Sequence, residues 1–139
     1  EGTREAFWGN GWLRSGDVGL LDEDGYLYIV DRLKDMIITG GENVYSLEVE
    51  DVIYTHPDVQ ECAVIGSPDK EWGEIVTAFV IPQPDKTIDE KRLKDFLKSR
   101  LSSYKVPKLI SIVDDFPKSP AGKILKRALR TSLKKKLSC

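Results

Sequence analysis

The sequence predicts an α+β fold: a small three-stranded sheet flanked by helices, with a separate β-hairpin ahead of it. Three observations predict it. Short β-branched runs at 59–66, 75–81 and 109–113 are bounded by turn residues, as strands are. Segments with helical spacing of apolar residues alternate with these runs, which suits helices covering both faces of one sheet. Finally, four charges in Asp31-Arg32-Leu33-Lys34-Asp35 interrupt the apolar pattern and divide the chain into residues 1–31 and 32–139. At 139 residues, 40% hydrophobic and 32% charged, the chain has the size of one domain plus a piece of another and can bury a core.

Taken in order, residues 1–31 open on Gly and Trp and then read as two strands, at 19–21 and 26–30, joined by the turn pair Asp24-Gly25. Tyr26-Leu27-Tyr28-Ile29-Val30 has sheet character, and because an isolated two-stranded hairpin is marginal in water, this part is expected to pack on something else. Residues 36–39 form a short strand that Gly40-Gly41 ends. A helix follows from Ser46, an N-cap or first-turn residue, with Glu48 and Glu50 near its N-terminus and Leu47, Val49, Val52 and Ile53 as its apolar face. It stops near His56-Pro57. Ser67-Pro68-Asp69 separates the next two strands. Thr87 and Glu90 have capping-box spacing ahead of a helix that carries Leu93, Phe96, Leu97 and Leu101 on one face. After the strand at 109–113 and a loop at 117–122 rich in Pro and Gly, Ile124, Leu125, Ala128, Leu129 and Leu133 mark a last, basic helix.

Composition excludes several classes. No apolar run reaches the roughly 18–20 residues of a membrane-spanning helix. Two cysteines, Cys62 and Cys139, and a single His exclude a disulfide scaffold, a four-ligand zinc site and a His-rich centre, so no metal ligand is assigned. Cys62, inside Glu61-Cys62-Ala63-Val64-Ile65, reads as a small buried hydrophobe. This cysteine usage points to a reducing, intracellular compartment, cytoplasmic with mitochondrial left open. The N-terminal residues have neither an initiator Met nor a signal peptide, so the chain reads as part of something longer. The net charge of −2 hides an asymmetry: Lys118, Lys123, Lys126, Arg127, Arg130, Lys134, Lys135 and Lys136 face no acidic residue between 116 and 139. Either an anion binds there or a helix face is simply solvated.

Four stretches carry chemistry. Asp17, after Gly11-Trp12-Leu13-Arg14-Ser15-Gly16, stabilises a turn or accepts hydrogen bonds from a vicinal diol. Residues 31–35 are surface ion pairs or a functional junction. Gly40 and Gly41 form a plain turn or let a ligand approach the backbone. Pro117-Lys118-Ser119-Pro120-Ala121-Gly122-Lys123 sets a lysine before a helix, but the self-contained phosphate loop is rejected because its first Gly and its final Ser/Thr are missing.

In this order and spacing, GWLRSGDVG at 11–19, YIVDRLKDMIITGGENVY at 28–45, HPDV at 56–59 and PKSPAGKILKR at 117–127 resemble the C-terminal region of the acyl-adenylate-forming superfamily, and most closely an AMP-forming acyl-CoA synthetase. The resemblance spans essentially the entire chain. It implies that residues 1–31 are the end of a large N-terminal domain, a β-hairpin remnant of it, and that 32–139 are a lid rotating between two half-reactions. The implied chemistry joins a carboxylic acid, such as a fatty acid, to CoA through acyl-AMP, with ATP consumed. Mg2+ belongs to the absent N-terminal domain, and the chain alone is expected to be inactive.

By the same resemblance Lys123 is catalytic, Asp17 and Arg32 hold the ATP/AMP ribose, and Lys34 is the hinge. Gly40, Gly41 and Glu42 approach the pantetheine arm of CoA; Tyr104, Lys105 and Lys108 contact its nucleotide. Val106 and Trp72 depart from relatives that carry CoA-contacting residues there. Two alternatives stay open: a domain that loads a carrier protein, and an anion-binding module for nucleic acid or membrane. Against the latter, the basic segment lacks interleaved aromatics and the rest of the chain is acidic.

Overall fold

The computed structural model describes residues 2–137; Cys139 lies outside the described residues. A one-turn helix α1 (Gly2–Glu5) leads into β1 (Phe7–Trp8) and β2 (Trp12–Leu13), a small antiparallel pair. Next come β3 (Asp17–Leu21) and β4 (Leu27–Arg32), the antiparallel hairpin read from residues 19–30. Asp22 closes its turn: one carboxylate oxygen accepts the N–H groups of Asp24 (3.0 Å) and Tyr26 (2.9 Å), the other the Tyr28 hydroxyl (3.0 Å). These bonds hold the Asp22 carboxyl below its ordinary range, Tyr26 first among them. Leu20, Leu21, Leu27, Tyr28 and Ile29 on this hairpin are all exposed.

The main sheet has five strands where three were expected. It comprises β5 (Ile37–Thr39), β6 (Glu42–Val44), β7 (Val59–Asp69), β8 (Gly73–Pro82) and β9 (Leu109–Ile112). The three predicted runs lie side by side with β8 in the middle: β7 pairs antiparallel with one edge of β8, and β9 runs parallel along the other. The start of that second edge also takes β5 through Thr39 opposite Gly73, and β6 folds back on β5. Of this additional pair, β5 is the short strand expected at 36–39, while β6, at three residues, is too short to show a period of two.

Helices cover both faces, as predicted. α2 (Ser46–Tyr54) and α3 (Glu90–Lys98) lie on one, where Val49, Ile53, Leu93 and Leu97 pack with Cys62, Val64, Val76 and Val80. α4 (Lys126–Leu137) covers the other, its Leu129 packed with Ala63, Ile65, Phe79 and Phe116. Cys62 and Val64 therefore face one core and Ala63 and Ile65 the other, the alternation that a pleated strand imposes. Cys62 is buried, and burial pushes its thiol pKa up.

One cap differs from expectation, and Ser46 stands in the first turn of its helix as expected. α3 is capped by Asp89, whose carboxylate accepts Arg92 N–H at 2.8 Å, so the Thr87–Glu90 box is not used. Ser46 is the first residue of α2, and its N–H donates at 2.6 Å to the carboxylate of Asp31, fifteen residues upstream. A carboxylate at a helix N-terminus satisfies an orphan donor and complements the dipole. Here it comes from β4 rather than from the local sequence.

Candidate functional site

The hairpin at 117–125 holds one lysine at its tip. Leu125 N–H donates to Pro117 O and Ser119 N–H to Lys123 O, both at 2.8 Å, and Lys118 bridges to Ile124. Gly122 N–H closes the turn on Ser119 O at 2.8 Å. Phe116 and Ile124 root the hairpin in the second core, and the Lys118 ammonium sits 2.9 Å from Glu61 Oε1 on β7. That contact raises the Lys118 pKa. The Lys123 backbone is thus braced while its side chain is exposed, and its ammonium has no ion-pair partner among the described residues.

Lys123 lines a cleft of about 670 Å3 together with Arg32, Lys34, Asp35 and Glu50. Asp17 joins from the side: it is the cross-strand partner of Arg32, with Oδ1 3.9 Å from Arg32 Nε. Exposed pairs at such a distance contribute little to stability, so both groups stay open to a polar ligand. The four residues 17, 32, 34 and 123 are thereby gathered from three separate parts of the chain.

Around Lys34 the backbone makes a 3-10 turn, Leu33–Asp35. Upstream, Leu33 N–H donates to Gly16 O at 2.8 Å and ties the turn to the hairpin. Downstream, Arg130 of α4 reaches Asp35 Oδ1 at 2.9 Å and Lys34 O at 3.4 Å. Met36 N–H closes the turn on Arg32 O at 3.1 Å. Beside this turn lies a buried polar network that residue spacing does not reveal. The Ser46 hydroxyl donates to the Asp31 carboxylate (3.0 and 3.2 Å) and accepts from Lys126 Nζ at 2.9 Å. Lys126 also sits 2.7 Å from Glu50 Oε1, which accepts Val64 N–H at 2.9 Å. Lys118, Lys126 and Arg130 therefore neutralise acids of the same chain, which accounts for part of the basic segment.

A second cluster forms away from Lys123. Gly40 and Gly41 have φ of 57° and 84°, conformations that side chains resist. Gly40 N–H donates to Trp72 O at 2.9 Å, and a Cβ on Gly40 would stand 2.7 Å from Trp72 Cε3. Trp72 is itself set by Asp69, whose Oδ1 accepts the N–H groups of Glu71 and Trp72, both at 2.9 Å. These bonds, Trp72's first, lower the Asp69 pKa, so the turn is secure above the ordinary carboxylate range and loosens as pH falls through the lowered value. Lys108 Nζ lies 3.6 Å above the Trp72 ring, a cation–π contact. β6, which carries Glu42, lies against the Ser103–Lys105 turn.

Tyr104 is exposed there, but Lys105 is committed: its ammonium is 2.8 Å from Glu48 Oε1, and this hydrogen bond raises its pKa. A raised lysine pKa keeps the pair intact below the ordinary value of 10.5 and loses it as pH rises through the folded value. Val106 is buried in the first core, so that position faces inward.

Gly40→Ala is expected to strain the backbone by about 1–2 kcal/mol and push the indole aside. Melting should fall by a few degrees, and tryptophan emission should shift in a way that disappears in a Trp72→Phe background.

Residues 48–123 match the profile of the AMP-binding enzyme C-terminal domain. The chain belongs to that family. The AMP-binding C-terminal domain is matched at 52% identity by the long-chain-fatty-acid–CoA ligase FadD13 of Mycobacterium tuberculosis, over 94% of this chain and 25% of that protein. The chain thus spans about a quarter of the length of such relatives. Two crystal structures of MatB from Rhodopseudomonas palustris, each covered over 95% of this chain and 26% of theirs, differ in likeness to it. The ATP-bound one gives a TM-score of 0.87 at 42% identity, and the apo one 0.74 at 43%. In this chain the two clusters, Arg32 with Lys123 and Gly40 with Trp72, lie at separate places.

Among the described residues no group of three His, Cys, Asp or Glu is placed to hold a metal, and no helix is long and apolar enough to cross a membrane.

Proposed function

We propose that this chain is the lid of an AMP-forming acyl-CoA synthetase, with residues 1–31 ending the preceding domain and 32–139 forming the moving part. The observation that carries this reading is Lys123, braced at a hairpin tip and lining the same cleft as Arg32. The substrates are a carboxylic acid, such as a fatty acid, together with ATP and CoA. Mg2+ would be held by the preceding domain, where it would offset phosphate charge.

In adenylation the carboxylate attacks the α-phosphorus of ATP; a new C–O–P linkage forms and pyrophosphate leaves. Negative charge grows on the α-phosphoryl oxygens and the bridging oxygen. A pre-placed ammonium stabilises that charge more than it stabilises the ground state. Lys123 supplies it, as a point charge where no bidentate fork is required. Asp17 accepts from the ribose hydroxyls and Arg32 sits beside it. The stronger likeness to the ATP-bound relative supports reading the present arrangement as the adenylation pose.

In the second step the CoA thiol attacks the acyl carbon of acyl-AMP, the C–S bond forms and AMP leaves. Gly40 and Gly41 leave room for a narrow pantetheine arm beside Glu42. Trp72, Tyr104 and Lys108 offer flat faces and positive charge to the nucleotide end, and Lys105 joins them only by leaving Glu48. The exposed apolar side chains of the hairpin, Leu20, Leu21, Leu27, Tyr28 and Ile29, offer a surface for packing on the rest of the preceding domain.

Pyrophosphate exchange tests this reading. The full-length protein with ATP and a carboxylic acid is expected to exchange labelled pyrophosphate, and residues 1–139 alone are not. Exchange by the short chain at the rate of the full protein would overturn the assignment.

A further inference from the structure

Asp31 and Ser46 lie on opposite sides of the pivot. Asp31 belongs to β4, which is held to β3 through Val18 and, one residue on, through Asp17 opposite Arg32. Ser46, Glu50 and Lys126 belong to the helices of the moving part. The bonds between the two sides are buried: Asp31 is 1% exposed and Ser46 0%. Asp31 receives three donors, the Ser46 N–H, the Ser46 hydroxyl and its neighbour Arg32 N–H at 2.8 Å. Two of the three cross the pivot. A rotation about Leu33 and Lys34 separates Asp31 from Ser46, bares a carboxylate and leaves the first N–H of α2 without its acceptor. By contrast, the Arg130–Asp35 contact lies wholly on the moving side and survives the rotation.

We propose that Asp31 and Ser46 form a latch across the pivot that holds the lid in the pose where Lys123 and Arg32 share a cleft, so that its strength sets the balance between adenylation and thioester formation. The proposal rests on the lid reading above. Lys126 strengthens the latch by donating to the Ser46 hydroxyl and orienting its single proton toward Asp31. Glu50 keeps Lys126 there. Hydrogen bonds to a buried charge are among the stronger ones, so the latch is a substantial term in a two-pose equilibrium. Asp31 and Ser46 are positioning residues; neither touches a reacting atom.

The test uses the full-length protein, otherwise free of exposed cysteines, with spin labels at Glu23→Cys on the hairpin turn and Lys91→Cys on α3. Pulsed electron resonance reads the distance between them with ATP and with CoA. The unaltered protein is expected to show two distances whose proportions follow the ligand. Asp31→Asn should deplete the distance favoured by ATP by about tenfold, and Ser46→Ala by about threefold. In both, adenylation should slow relative to thioester formation from supplied acyl-AMP. Ser46→Ala keeps the backbone donor and the fold, so it serves should Asp31→Asn melt early. Two distances in the parent with unchanged proportions in both variants would overturn the latch and leave the lid standing. One distance under every ligand would remove the lid reading itself, and the latch with it.

Discussion

Lys123→Ala in the full-length protein is expected to slow acyl-AMP formation by about 10²–10³-fold, or roughly 3–4 kcal/mol of transition-state stabilisation. Thioester formation from supplied acyl-AMP should stay within a few-fold of the parent. The asymmetry follows from where the residue stands. Its backbone is fixed by bonds to Ser119 and by the Lys118–Glu61 contact, so truncation removes one ammonium and leaves the hairpin intact. No acid of the described chain loses a partner, unlike a change at Lys126 or Arg130. The loss should therefore appear in the rate of the first step with little change in melting temperature. Single-turnover assays of the two half-reactions, with a thermal melt, check it. Equal loss in both steps would mean that Lys123 acts on something shared, such as the lid's attachment.

Lys34→Pro is expected to have the opposite signature. Proline fixes φ near −65°, which a 3-10 turn accepts, but it restricts Leu33 and blocks other values at the pivot. With Leu33 tied to Gly16 and Asp35 tied to Arg130, few other torsions remain to absorb a rotation. A mismatch of about 3 kcal/mol in one pose corresponds to about 10²-fold, and it should fall on thioester formation more than on adenylation. Unchanged thioester rates would move the pivot elsewhere.

Much of this arrangement was legible in the sequence because it is local. The β-branched run at 59–66 announced a strand, and the helical faces at 47–53 and 93–101 announced the layers that cover the sheet. Lys123 stood out through the Pro and Gly that shape its own loop, and Asp17 through its position after a glycine turn. What was not legible depends on distant pairings. Nothing around Asp31 says that it caps a helix fifteen residues on, and Lys105 and Glu48 meet across 57 positions. β6 is too short to show a period, and Asp89 outcompeted Thr87 as a cap because its carboxylate reaches Arg92 N–H directly. The basic segment at 118–136 read as a uniform patch, whereas Lys118, Lys126 and Arg130 pair with acids on other elements.

Two faces of one lid serving two steps is the claim that all of this rests on, and it is tested most directly by measuring the single-turnover rate of each half-reaction in Lys123→Ala and Gly40→Ala side by side. The account predicts crossed losses: adenylation falls in the first variant, thioester formation in the second by about 10–10²-fold, and each spares the other step. Losses confined to the same step in both variants would contradict it.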